Sequence, residues 1–136
     1  MSLSHFAARS MLSSIFVTGG AAEVSHASDL SGALTGLVRR APQPIRKAVE
    51  SVGPQTLVKV NGVTMTAAGA ALALGIKPRC AATVLAAQLV PVTLAGHAFW
   101  DKPDQDKPGE RIAFTKNLAL IGGLLCVALG GATAKD

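Results

Sequence analysis

Three stretches of the chain carry no charged side chain over a length that matches a bilayer. The first lies between Lys59 and Lys77, the second runs from Cys80 to Trp100 (CAATVLAAQLVPVTLAGHAFW), and the third from Asn117 to Ala134. A helix that crosses the hydrocarbon core needs about 20 mostly apolar residues, within a range of roughly 17 to 25. All three runs fall in that range, so the first constraint on the fold is that it set three helices in lipid. Composition points the same way: of 136 residues 49% are hydrophobic but only 15% charged and 4% aromatic. The apolar content is therefore Ala, Leu, Val and Gly, unlike that of an ordinary water-soluble domain.

A fourth span is expected near the N-terminus. The segment Ser10 to Ala22 (SMLSSIFVTGGAA) is too short alone, but the stem of Arg9 reaches the interface, so a span of about 5–24 is feasible. The competing reading is a secretory signal peptide, with Arg9 as its basic end, Met11 to Ala22 as its apolar core and SHA, ending at Ala27, as its cleavage site. Because the segment stands in place from Met1, the span is the expectation. The predicted fold is all-α: one domain over 1–136, with four transmembrane helices at about 5–24, 57–76, 80–100 and 115–134 in an antiparallel bundle. Both termini then share one side with Arg9, Lys77, Arg79 and Lys135. The other side holds more Lys and Arg, and because the positive-inside rule largely discounts the acids there it favours termini outside, but only weakly, since long loops translocate despite their charge; the orientation is left open.

The connection from Glu23 to Thr56 is long for such a unit. Within it Pro44 suits the first turn of a helix, Ile45, Val49 and Val52 recur at helical spacing, and Gly53-Pro54 ends the run. This predicts a short amphipathic helix at about 43–52, between the first two spans, lying on the membrane surface or capping the bundle. The second and fourth spans carry stripes of small residues: Gly62, Thr66, Gly69, Ala70 and Ala73 in one, Gly122 (beside Gly123), Cys126 and Gly130 in the other. Small faces let helix backbones approach closely where lipid removes the hydrophobic drive between them. They serve either to close this bundle or to dock it on another protein. Cys80 and Cys126 are too few for a disulfide framework and lie on the order of 12 Å apart in depth, so both read as small packing residues.

Alternating the direction of the spans brings Glu23, Asn61, His97, Trp100, Lys116 and Asn117 to one end. Ionisable groups in lipid are functional candidates by default. Imidazole exchanges protons and ligates haem or meets a quinone oxygen, yet one histidine makes no metal site, and His5 and His26 fall elsewhere. A structural hydrogen bond is the preferred role for His97. Phe99 and Trp100 suit the aromatic belt at the head groups. Gln88 in mid-span is placed to bridge helices, and Pro91 to bend the third span, with a cavity conceivable beside the bend. The acidic run DKPDQDKPGE lacks the spacing of a calcium loop and reads as a solvated turn around Pro103 and Pro108-Gly109. The net charge of +5 flanks apolar spans instead of forming one basic face, so lipid head groups are the expected partner and nucleic acid is not.

The segments GHAFW and FTKNLALIGGLL, separated by a short polar connection, resemble the C-terminal half of the DoxX family of small four-helix membrane proteins. The matching residues are His97, Phe99, Trp100, Phe114, Lys116, Asn117 and the Gly122-Gly123 pair, and VNGVTMTAAGAALALGIKPRCAATVLA is similar to that family's second and third spans. Arg9 and IFVTGG agree with its opening helix, whereas Glu23 stands near where many members carry lysine. The resemblance implies a multi-pass protein of the cell's inner (plasma) membrane. It also implies association with thiosulfate:quinone oxidoreductases or with a membrane-bound complex that handles oxidative stress.

The expectation is thus a non-catalytic accessory subunit of a larger membrane complex, serving transport, including that of lipids, or redox chemistry. Its partners would be other integral membrane subunits and the bilayer, with no cofactor and no metal of its own. The alternative is a DoxX-type component of a quinone- or thiol-linked membrane oxidoreductase, holding quinone or haem near His97, Lys116 and Asn117. An independent transporter ranks last, since only Gln88, Thr66 and Thr93 offer polarity at mid-depth.

Overall fold

A computed structural model describes residues 2–97 and 99–130. The described residues form six α-helices and one 3-10 turn: α1 (Leu3–Ser25), α2 (Ala27–Val38), α3 (Gln43–Val52), α4 (Pro54–Leu74), α5 (Pro78–Gly96), the turn Phe99–Asp101 and α6 (Lys107–Leu129). Three stretches are long and apolar enough to cross a membrane: α4, the segment Pro78–Asp101 that holds α5 and the turn, and α6. At 23 residues α1 has the length, but Ser4, Ser10, Ser13, Ser14 and Thr18 dilute its apolar character and it is not among them. The expected end of the last span at 134, and Lys135, lie outside the described residues.

Local chemistry accounts for most boundaries. Ser2 caps α1 by accepting from the backbone N–H of His5. Gly53, at φ 92°, separates α3 from α4, and prolines stand in the first turns of α3, α4, α5 and α6, where no intrahelical N–H is lost. Between α4 and α5, Gly75 takes the left-handed conformation at φ 74°, and the N–H of Ile76 returns to the carbonyl of Ala71 at 2.8 Å. That closure favours a residue without Cβ at position 75.

Two expectations change. The connection from Glu23 to Thr56 holds a second helix, α2, besides the one at 43–52; its Leu30, Leu34 and Leu37 recur at helical spacing and Asp29 favours its N-terminal turn. The run DKPDQDKPGE is a turn only up to Asp106, because Pro108 and Gly109 already belong to α6. Proline is tolerated there, so the fourth long helix starts eight residues before 115.

Packing centres on α1 and α4. Gly20 lies against Gly62 and Thr66, and Gly69 against Phe16 and Val17, so the seam climbs α4 as it descends α1. A Cβ added at Gly62 would come within 2.7 Å of the Gly20 carbonyl oxygen. Around this seam Phe16, Met65, Leu72, Ala82, Leu85, Leu89 and Leu124 form the core. The short helix α3 touches α2 and α4 and leaves Ile45 and Val52 of its apolar stripe exposed.

Candidate functional site

The end of α1, the start of α4, α5 and the start of α6 are tied together by polar side chains, but in two separate groups. Asn61 on α4 is the hub of the first group: its Nδ2 donates to Glu23 Oε2 at 2.9 Å, and its Oδ1 accepts from Gln88 Nε2 at 3.0 Å. Gln88 also donates to the Asn61 backbone carbonyl at 3.3 Å, while its own Oε1 is buried without a hydrogen-bond partner among the described residues. One amide thus bridges three helices, and Gln88 takes the interhelical role expected of it.

The second group joins α5 to α6. Asn117 Nδ2 donates to Thr93 Oγ1 at 3.1 Å, and the buried Thr93 hydroxyl donates to the Leu89 carbonyl at 2.6 Å. Nearer the helix ends, His97 Nδ1 lies 2.7 Å from Glu110 Oε2, with Lys102 Nζ 3.9 Å from the other oxygen. Glu110 escapes a sequence reading because the run around it reads as a solvated turn, whereas it sits on the first turn of α6. Phe99, Trp100 and Phe114 pack edge to face with ring centroids 5.1 to 5.9 Å apart, which fixes the 3-10 turn against α6. An exposed pair, Arg40 Nη1 to Asp101 Oδ2 at 2.6 Å, links the corner after α2 to the same turn.

Lys116 does not join His97 and Asn117. Successive residues on a helix point about 100° apart, so when Asn117 faces α5 its neighbour faces outward. Lys116 lines an open groove of about 770 Å³ with Lys107, Arg111, Ile112 and Ala119. The small stripe of α6 lies on that outward side as well. A Cβ added at Gly122 would meet nothing within 4 Å, and Cys126 and Gly130 are exposed. Among the described residues Gly122, Cys126 and Gly130 therefore pack against no other helix, whereas Gly62 and Gly69 do and Gly123 meets Leu12. Cys80 is exposed too, so neither cysteine acts as a packing residue inside the fold.

A second hollow, about 370 Å³, opens between α2, α4 and α5 beside Pro91. Leu30, Leu34, Leu37, Leu57, Val58 and Val92 make it apolar, and Glu23 and Asn61 supply its polar end. Volumes of this order are typical of small-ligand sites. Among the described residues no three His, Cys, Asp or Glu side chains are grouped to hold a metal ion.

No curated protein and no solved structure matches the chain. The DoxX family profile matches residues 4–98, which covers α1 to α5 and ends one residue past His97. The family is thus carried by the first five helices, including the N-terminal segment whose resemblance included Glu23 as a departure, and the chain is a membrane protein that belongs to the DoxX family.

Proposed function

We propose that this protein is a non-catalytic accessory subunit of a larger complex in the cell's inner membrane, crossing the bilayer four times as an antiparallel bundle of α1, α4, α5 and α6. The observation that carries the reading is the outward face of α6. This helix is the most apolar of the three candidate spans, yet only 6% of its apolar stretch is buried, against 31% for the span containing α5. Lipid alone would cover leucines such as Leu118, Leu125 and Leu129. A face of glycine and cysteine gains little from lipid and much from a close helix. Lys107, Arg111 and Lys116 stand at one end of the same side, so the partner's surface should carry acidic groups at head-group level.

The competing quinone- or thiol-linked component needs His97, Lys116 and Asn117 around one ligand. Here His97 is engaged by Glu110, Asn117 by Thr93, and Lys116 faces the outer groove, which favours the accessory role.

The test is extraction from native membranes in a mild detergent, followed by native mass spectrometry. The expected particle contains the 13.8 kDa chain with a second membrane protein in fixed ratio. Gly122→Leu should remove that partner while the chain still folds, because the added side chain meets open space. Recovery of the unaltered chain alone, or with phospholipid only, sinks the proposal.

A further inference from the structure

The hollow beside Pro91 has a polar end that is rich in acceptors and poor in donors. Among the described residues Glu23 forms no ion pair and receives one hydrogen bond, from Asn61. Beside it Asn61 Oδ1 receives one bond, from Gln88, which itself does not line the hollow. Polar atoms withdrawn from water cost free energy until a partner satisfies them, and a carboxylate more so than an amide. Among the described residues no basic side chain lines the hollow; its other walls are Leu and Val side chains with Pro91, Ala33 and Gly96. The missing complement is a positive group that only donates, attached to an apolar body.

We infer that this hollow binds an amphiphile with a primary ammonium head, its head on Glu23 and its tail against α2 and α5. An ammonium offers three donors and no acceptor, which suits a carboxylate that receives a single hydrogen bond beside an amide oxygen with one lone pair to spare. A hydroxyl head brings one donor and no charge, and an oxidised quinone brings acceptors only. The leucine face of α2 gives the tail its seat, and accounts for a helix that packs its apolar side only in part: Leu30 and Leu37 remain 40% and 37% exposed. The site shares no lining residue with the open groove on α6 and does not depend on the accessory-subunit reading.

The probe is a C16 primary amine bearing a diazirine in its tail, photolysed with the full chain in phosphatidylcholine nanodiscs and mapped by peptide mass spectrometry. Adducts are expected on the stretches 30–37 and 91–96. Hexadecylamine should compete about tenfold better than hexadecanol, the worth of one charge-assisted hydrogen bond. Glu23→Gln keeps an acceptor for Asn61 and should erase that preference. Leu34→Trp, which leaves Glu23 untouched, should fill the hollow and abolish labelling there, so a folding defect in one variant does not shield the proposal. Equal competition by the alcohol, an unchanged preference in Glu23→Gln, or labels spread along the lipid-facing side of α6 would each overturn it.

Discussion

The seam between α1 and α4 and the outer face of α6 carry the same kind of residue, glycine or another small side chain spaced by three or four positions, yet they meet different neighbours. At the seam Gly20 and Gly62 bring two backbones together, and an added Cβ at either runs into the other's carbonyl oxygen. On α6 an added Cβ at Gly122 meets nothing. A small stripe therefore states that something is meant to come close; it does not state what. In the first case the something is this chain's own helix, and in the second we propose a partner's.

The largest expected effect breaks the seam. Gly62→Leu forces a branched side chain into the Gly20 backbone, which cannot rotate away as a side chain would. Overpacking of this kind costs about 1 to 3 kcal/mol and more where backbone must shift, so loss of the folded chain from detergent extracts is expected. Circular dichroism melting of the purified variant reads it directly; an unchanged midpoint would mean that α1 and α4 are not held as described. Gly122→Leu is the counterpart: its melting midpoint should stay level or rise slightly, since leucine favours helix over glycine by about 0.5 to 1 kcal/mol. A drop comparable to that of Gly62→Leu would show that the α6 face is closed by the chain itself.

Next in size is the polar hub. Asn61→Leu removes the donor to Glu23 and the acceptor of Gln88 together, although Gln88 keeps the backbone carbonyl at 3.3 Å. The expected loss is about 1 to 2 kcal/mol, from two interhelical bonds and the acceptors left bare. Asn117→Leu breaks a single bond, to Thr93, and should cost about 0.6 kcal/mol. If Asn117→Leu proved the costlier of the two, α6 rather than α1 would be the helix that the polar end secures.

How much of this could be read from the residues depends on whether the signal was axial or rotational. Depth along a helix follows from counting, which is how Glu23 and Asn61 come to be expected together, and they are hydrogen-bonded, although Asn61 meets Gln88 on α5 and His97 meets Glu110 instead; the helix Gln43–Val52 follows from its proline start, its apolar spacing and its glycine stop. Which way a side chain points around the axis depends on which neighbour the helix finds. Lys116 and Asn117 are adjacent in sequence and were grouped, but one turns to α5 and the other to the outer groove. The helix α2 escaped for a different reason. Gly32 and Gly36 weaken its propensity, and its leucine spacing only acquires a purpose beside the hollow that α4 and α5 leave open. The start of α6 was hidden by composition: charges with Pro108-Gly109 read as a turn, although proline in a first helical turn is an ordinary beginning. That misreading is also what concealed Glu110 as the partner of His97.

The smallest effect is expected at Arg40. Its pair with Asp101 is short at 2.6 Å, but the two side chains are 76% and 43% exposed. Water and salt screen such a pair, and holding a long arginine in one rotamer opposes the gain, so exposed pairs contribute about 0 to 1 kcal/mol. Arg40→Ala should therefore leave the melting midpoint within error in moderate salt. The pair nonetheless joins the corner after α2 to the turn that precedes α6. If Arg40→Ala lowered the midpoint as far as Asn61→Leu, with the loss vanishing in high salt, the polar end would owe its cohesion to surface charge. The contrast between a closed seam and an open face would then have to be redrawn with α6 tethered through its loop as well as through Thr93 and His97.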